Sequence, residues 1–568
     1  MGYQATSVPS TPTTAFALSV PYSALYLLLF LFYIPALFVP LMDNDSAHHA
    51  NIALKMYLDG NYTHLIDQGL PYLDKPHLLF WTSALSYHFF GVNAFAYKLP
   101  SFLFTILGTY ATYRLGWLLY NKEVGKLAGL IVATAFAYVL STNDVRMDAM
   151  LTGSAIFAIW QLCAYIAHKK AIHLVLAALG LAMGFATKGW VGAVVPAIAI
   201  LLHLLYQRNW RMLFHGRWLL LILLFFVFIS PVLYAYYVQF DLHPALEVRG
   251  KTNISGVRFI LWDQNFERMQ GESFSTRKRD VTFFLHTFLW AFLPWSLLGV
   301  YAIIARARIF IATRFRYQRT LEFMTWGAPV FFIMLFSLSK FKLPHYLNIL
   351  FPLIALLLAI HLYNSRNAPK QTKIYWYTQL FVLTGMALIG LALNLWVFPF
   401  QSVWVMLLAG LLLLVWLSTL FLNLEKSQRT IYWSVTGAVF FFFMHHTNFY
   451  PQLLNYQAGT TLAKFSTEKN IAPEQVFIYQ MDRSFSYDFN TAYLHETITL
   501  DRIKTLSQAN TNLWIVTDER GLSNLQKSGI PFQQQFQAQD YHVSKVKWKF
   551  LHPDTRQEAL SYMYLIQL

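Results

Sequence analysis

The sequence predicts a polytopic α-helical membrane protein that ends in a small α/β domain, and three observations carry that reading. Of 568 residues, 56% are hydrophobic and only 12% charged, with a mean hydropathy of +0.41. No soluble core absorbs so much apolar surface, and many apolar runs approach the ~20 residues that cross a bilayer. Lys/Arg clusters recur in alternate loops, as a single cytoplasmic face requires. After about Tyr450 the composition turns to short β-rich runs between polar stretches.

The N-terminal tail, residues 1–22, is rich in Ser, Thr and Pro and has no Lys or Arg. It lacks the charged start of a cleavable signal, so Ala24 to Leu41 reads as a retained first helix. Further apolar runs fall at about 77–90, 98–119, 127–142, 149–167, 171–187, 189–206, 217–238, 282–304, 322–338, 343–363, 374–397, 402–422 and 430–447. Basic clusters at Arg114/Lys122/Lys126, Lys169/Lys170, Arg208/Arg211/Arg217, Arg306 to Arg319, Arg366/Lys370/Lys373 and Lys426/Arg429 mark the cytoplasmic loops. The loop 42–76 sets Asp43, Asp45, Asp59, Asp67 and Asp74 against Lys55 and Lys75, which places it outside.

A crossing at 77–90 would move every later cluster to the outer face. That run is short and carries His77 and His88, so it reads as a helix lying along the interface. About thirteen spans remain, with the N-terminus inside and the C-terminal segment outside. The expected organisation is a tail (1–22), a membrane domain (23–448, with outer loops 42–97 and 239–281) and an outer α/β domain (449–568). In the last, "VFIYQ", "NLWIVTDE" and "SKVKWKFL" read as strands and "LDRIKTLSQAN" as a helix.

The formal charge of +16 is what cytoplasmic Lys/Arg loops produce, and no basic helix with interleaved aromatics points to nucleic acid. The single Cys163 lies in an apolar run and excludes an internal disulfide.

On the outer face four polar groups gather: "MDNDSAHHANIALKM" with "YLDKPHLLFW", then "NDVRMDAML", the loop 239–281, and "SLSKFKLPHYLNILFP". Ionisable residues at a membrane edge are costly and mark function by default. Lys75, Arg268, Lys340, Lys342 and His345 suit a phosphate. Asp45 suits a base that takes, or orients, an acceptor's hydroxyl proton. Together these are the needs of sugar transfer from a polyprenyl-phosphate carrier: cations for the leaving phosphate, a carboxylate for the nucleophile.

Each piece has a plainer reading. Asp43 and Asp45 can be a solvated loop that caps a helix. Asp-x-Asp-x-x-His-His, ending in His48 and His49, can hold a divalent ion, although a monophosphate carrier does not need one. Asp74–Lys75 can be a local ion pair of little worth, and "KFKLPH" an interfacial anchor. Arg277 to Arg279 read as a solvated run. Lys188, beside Gly189 in a break between apolar runs, either reaches the interface or meets phosphate. A transporter of lipid-linked sugars would show mid-membrane charges or breaks in paired halves, and the chain shows no repeat. A mere scaffold would leave the acid–base loops without a purpose.

The order of these pieces is more specific than any one of them. "DNDSAHHANIALKM", "YLDKPHLLFWTSALSYHFFGVNAFAYKLPS", "RMDAMLT", "ATKGWVG", "QNFERM", "FLPWSLL" and "SLSKFKLPHYL" resemble the integral-membrane GT-C glycosyltransferases of the protein O-mannosyltransferase and lipid A aminoarabinose-transferase superfamily, over roughly residues 25–360. The resemblance implies a thirteen-helix GT-C core with juxtamembrane helices. It implies that Asp45 is the catalytic aspartate and Asp148 a second acid supporting the first loop. It implies that Lys75, Arg268, Lys342 and Tyr346, with His345 beside them, hold the carrier phosphate, and that Asp74 keeps Lys75 in place. Ser46 stands where the family has glutamate, His48-His49 where it has Arg-Tyr, and His77 where it has a second proline. These departures bear on the substrate more than on the reaction. The expectation is therefore an inverting transferase acting on a lipid A-like glycolipid, or alternatively on a protein hydroxyl. It would be a monomer in a bacterial inner membrane, needing no cofactor, with its catalytic face and C-terminal domain in the periplasm.

Overall fold

The computed structural model describes residues 22–43, 45–264, 280–481, 484–509 and 512–568. Helix α1 (Tyr22–Phe38) leads into the first loop, which holds α2 (Asp45–Asp59), a two-stranded hairpin β1 (Ile66–Asp67) and β2 (Leu70–Pro71), and α3 (Leu78–Phe90). The hairpin turns through Gln68 and Gly69, whose φ angles of 55° and 80° lie in the left-handed region. At 13 residues α3 is only about 20 Å long, short of the ~30 Å hydrocarbon core. It buries Leu79, Phe80 and Tyr87 against α2 and α4 (Ala94–Leu119) and leaves Phe89 exposed.

Gly91, with φ 71°, closes α3, and Asn93 caps α4 by accepting a 2.9 Å bond from the Ala96 amide. The core continues through α5 (Lys122–Ala133), α6 (Phe136–Asn143), α7 (Asp148–His168), α8 (Ala171–Lys188) and α9 (Val191–Tyr206). Small residues let these helices touch. A Cβ on Gly153 would fall 2.3 Å from the Phe104 carbonyl oxygen, so α4 and α7 meet backbone to backbone, and Gly184 faces Gly192 between α8 and α9 in the same way.

Among the described residues, five helical segments have the length and hydropathy to cross a membrane: Asp148–His168, Ala171–Lys188, Trp210–Asp241, Pro344–Ser365 and Pro369–Val397. The pair α5–α6, bent by 57°, passes the same test together. Shorter apolar helices cover Tyr22–Phe38, Val191–Tyr206, Met324–Leu338 and Val403–Ser418. The helix Arg217–Tyr236 leaves Leu219, Leu223, Val227 and Tyr234 exposed, a contiguous apolar face that water would not tolerate but lipid does.

Two expected runs are broken. The 127–142 run bends at Thr134–Ala135, between α5 and α6. The 282–304 run divides into Phe283–Ala291 and Ser296–Ala312 at Pro294, which has no N–H to give a helix.

The C-terminal segment forms a four-stranded sheet in the order β3 (Val476–Tyr479), β4 (Trp514–Asp518), β6 (Ser561–Gln567), β5 (Gln534–Asp540). β3 and β4 run parallel and the other pairs antiparallel. One face packs on the helix Ala458–Glu468 through Leu462, Val516 and Leu565, the other on Ile503 and Leu525 through Ile515 and Ile566. "VFIYQ" and "NLWIVTDE" supply β3 and β4, and "LDRIKTLSQAN" contains the helix Leu500–Ala509. "SKVKWKFL" is not a strand. Its alternation of Val546, Trp548 and Phe550 mimics one, but only Phe550 is buried, against Tyr541 and Tyr456, and the backbone turns as Val543–Lys545 and Trp548–Leu551. The polar "QQFQAQD" and the C-terminal "SYMYLIQ" take the remaining two places.

Candidate active site

A cavity of about 440 Å³ opens where the first loop, the α6–α7 corner, the end of α8, the loop after Tyr236 and the segment before Pro344 converge. Asp45, His48, His49, Asp74, Lys75, Asp148, Lys188, His345 and Tyr346, all singled out from sequence, line it. Arg146 of the "NDVRMDAML" corner lines it too, and so do Tyr72, Arg249 and Gln264, which the sequence did not single out.

Asp45 opens α2 and is the most open of the acids in the arrangement, its side chain 45% exposed. Its Oδ2 accepts a 2.9 Å bond from Arg146 Nη1. The same guanidinium holds Asp144 through Nε at 3.0 Å and Nη2 at 2.9 Å, so one arginine bridges two carboxylates. Burial pushes the Asp144 carboxyl up, with Arg146 opposing it, while the two acids beside Arg146 outweigh its own burial and raise the guanidinium. Asp148 was expected to support the first loop. It instead accepts a 3.0 Å bond from Lys188 Nζ, both side chains largely buried, and Arg146 makes the link to Asp45. Lys188 also lies 5.1 Å from the centre of the Tyr346 ring.

The Asp74 carboxylate also meets a second cation. Its Oδ1 takes a short ion pair from Arg249, and its backbone oxygen accepts a 2.8 Å bond from Gln264 Nε2. Arg249 is carried there by a tight reversal in which Arg249 and Gly250 both take positive φ, 53° and 73°. No spacing rule in the sequence reveals a partner 175 positions away.

His48 Nε2 lies 2.8 Å from Asp67 Oδ2, and its ring packs on Phe485 at 4.7 Å. His49 is buried, and desolvation first, then the surrounding cations, push its pKa well below the ordinary value, so the ring is neutral. The Asp-x-Asp-x-x-His-His constellation is not assembled. Asp43 turns away from the cavity, its Oδ2 accepting bonds from Ser486 Oγ at 2.6 Å and Ser484 Oγ at 3.2 Å. Among the described residues no group of three or more His, Cys, Asp or Glu is placed to hold a metal ion.

His77 and Lys342 lie outside the cavity lining. His77 precedes the first turn of α3, buried, with Nε2 3.2 Å from the Thr63 carbonyl and its pKa pushed down by burial to about 4. Lys342 Nζ donates to the Asp280 carbonyl at 2.6 Å because the chain before Pro344 directs it across to the next helix start. Arg268 lies outside the described residues.

The C-terminal segment reaches this site from outside the membrane helices. The Gln457 side chain pairs with the Asp43 amide at 2.5 Å and with the Leu41 carbonyl at 2.9 Å. Asn51 of α2 donates to the Phe485 carbonyl at 2.9 Å. Gln457, Ser484 and Ser486 therefore hold the turn that leads into the helix carrying Asp45, and Phe485 holds the helix itself through Asn51 and His48.

Residues 74–235 match the family described as dolichyl-phosphate-mannose-protein mannosyltransferase. The chain is 28% identical, over 53% of its length and 52% of the relative's, to an undecaprenyl phosphate-alpha-4-amino-4-deoxy-L-arabinose arabinosyl transferase of Pseudomonas paraeruginosa. It is 27% identical to the protein of the same description from Edwardsiella ictaluri, over 69% of this chain and 70% of that one. The chain thus spans about half the length of the Pseudomonas relative. The crystal structure of ArnT from Cupriavidus metallidurans bound to undecaprenyl phosphate superposes with a TM-score of 0.70 at 16% identity, covering 96% of this chain and 97% of that one. The chain is therefore a mostly helical multi-pass membrane protein of the GT-C fold. Its fold is that of the Cupriavidus metallidurans ArnT structure, and its sequence is similar, at 27–28% identity, to the arabinosyl transferases named above.

Proposed function

We propose that the protein transfers a sugar from a polyprenyl-phosphate carrier to a glycolipid acceptor of the lipid A kind, at the outer face of a bacterial inner membrane. The observation that carries this is one cavity in which the open carboxylate of Asp45 faces cations from four separate segments: Lys75, Arg146, Lys188 and Arg249. Asp45, Asp74 and Asp148 stand against these four cations, so the lining itself carries a surplus of one positive charge for a phosphate to meet. The descriptions of the arabinosyl transferase relatives support undecaprenyl phosphate as the carrier.

In this reading the acceptor hydroxyl gives its proton to Asp45 as its oxygen bonds to the anomeric carbon. The bond from that carbon to the phosphate oxygen breaks, and its electron pair leaves with the phosphate. Lys75 and Arg249 stabilise the charge that develops there. Attack opposite the leaving group inverts the anomeric carbon. Arg146 orients Asp45 by holding Oδ2, and among the described residues Oδ1 accepts no hydrogen bond and is open to a substrate proton. Asp148 holds the Lys188 ammonium beside the Tyr346 ring, inside the same cavity. About thirteen helices would cross, with α3 along the interface and the C-terminal sheet in the periplasm, as the loop charges support.

The match to a protein mannosyltransferase family favours a second acceptor, a secreted Ser or Thr hydroxyl. Mass spectrometry of lipid-linked glycans and envelope glycolipids from cells with the intact protein and with Asp45→Asn tests both. Accumulation of a carrier-linked sugar with loss of that sugar from one glycolipid is the expected result. Loss from glycoproteins instead selects the second acceptor, and no change in any carrier-linked sugar refutes the transfer reaction.

A further inference from the structure

A second basic cleft, of about 460 Å³, lies at the other end of α7 from the active-site cavity. Asp148 begins that 21-residue helix and His168 ends it, so the two sites stand about 30 Å apart, at opposite membrane edges. The cleft is lined by Arg114 and Trp117 of α4, Trp160 and His168 of α7, and Lys170 and His173 at the start of α8. Four of these are basic, and no acid lines the cleft among the described residues. From Ala149 to Phe240 the chain contains no Asp or Glu at all, and Glu123, beside Lys122 at the start of α5, is paired with Lys126 at 2.9 Å.

Arg114 is held where a simple membrane-edge arginine would swing free into water. Its guanidinium carbon lies 5.1 Å from the Trp160 ring centre, 5.3 Å from Trp117 and 5.7 Å from Tyr110, and Nη1 donates to Tyr110 Oη at 2.7 Å. Lys122 Nζ sits 5.4 Å from the centre of the Trp117 ring and adds a further cation. Rings that fix the guanidinium leave most of its five N–H donors for an anion in a planar fork, the geometry that suits phosphate. On α4, exposed Leu103, Ile106 and Tyr110 lead along one stripe toward Arg114 and Trp117. An aliphatic chain laid on that stripe brings a headgroup to the guanidinium.

We propose that this cleft is a binding site for an anionic phospholipid of the leaflet opposite the catalytic face. The phosphate sits among Arg114, Lys170 and the two histidines, and the acyl chains lie along α4. Basic pockets between membrane helices select anionic lipid in this way, each cation contributing on the order of a fivefold preference.

The test uses the full-length protein, delipidated in detergent and titrated with phosphatidylglycerol or phosphatidylcholine. Bound lipid is counted by native mass spectrometry and thermal stability followed in parallel. The wild type should retain phosphatidylglycerol selectively and melt higher with it than with phosphatidylcholine. Arg114→Gln and Lys170→Gln should each weaken that retention roughly fivefold, with melting in phosphatidylcholine unchanged. Lys170→Gln, outside the aromatic cage, carries the test if Arg114→Gln fails to fold. Equal retention of the two lipids by the wild type overturns the proposal, as does full selectivity in both variants. Displacement of phosphatidylglycerol by millimolar inorganic phosphate also overturns it, in favour of a soluble anion.

Discussion

Replacing Arg146 with glutamine removes one guanidinium that serves two carboxylates in different surroundings, so its cost divides unequally. Asp144 is 11% exposed and Arg146 23%, and a buried charge stripped of its partner costs about 3–5 kcal/mol, trimmed to about 2–3 kcal/mol by this partial exposure. Asp45 is 45% exposed, and its pair with the same arginine contributes no more than about 1 kcal/mol. Arg146→Gln should therefore lower thermal stability sharply and Asp45→Asn hardly at all, while both abolish most transfer. Adding Asp144→Asn to Arg146→Gln should restore stability, with a coupling of about 1–3 kcal/mol between the two sites, but not activity. Unfolding of the purified protein in detergent, beside a transfer assay with a polyprenyl-phosphate sugar, reads both effects. If Arg146→Gln melts where Asp45→Asn does, or if the double variant recovers turnover, the division of labour argued for Arg146 is wrong.

Lys75→Ala should eliminate transfer while leaving melting within a degree or two of wild type, and near-normal turnover in that variant would remove Lys75 from the phosphate site. At the buried Asp148–Lys188 pair, Asp148→Asn and Lys188→Gln should each cost about 3–5 kcal/mol, and the double variant should melt above either single one, because no charge is left stranded. Additive losses there would contradict the pairing. Asp43 is part-buried against Ser484 and Ser486, and burial pushes its carboxyl up to about 6. A carboxyl whose folded pKa is raised stabilises below the unfolded value near 4 and loses that contribution as pH climbs through 6. The loss is at most about 3 kcal/mol, and about 1–2 kcal/mol after screening on its open side. Melting between pH 4 and 7 should accordingly fall in the wild type relative to Asp43→Asn, and parallel profiles would show that Asp43 does not titrate in that window.

Membrane embedding was legible in the sequence, because hydropathy is a property of each short run and needs no partner to be read. The helix at 78–90 followed from charge parity and from a length that cannot cross. Asp45 and Lys75 stood out by local wording, and the structure brings them to one cavity. The sheet was half legible: β3 and β4 are apolar runs, whereas β5 is a polar edge strand whose place is set by pairing with β6. "SKVKWKFL" shows the converse, an alternation whose backbone turns helical and buries only Phe550.

The tertiary structure alone decided which cation answers which acid. Arg146 reaches Asp45 across 101 positions, Arg249 reaches Asp74 across 175, and Lys188 reaches Asp148 across 40. Lys342, equally basic and in a promising corner, is spent on a carbonyl. An ion pair depends on a few ångströms between side chains, and those distances are set by how helices pack through contacts such as Gly153 on Phe104. Composition determines that such charges must gather at a membrane edge, and only the packing of the helices selects the partners.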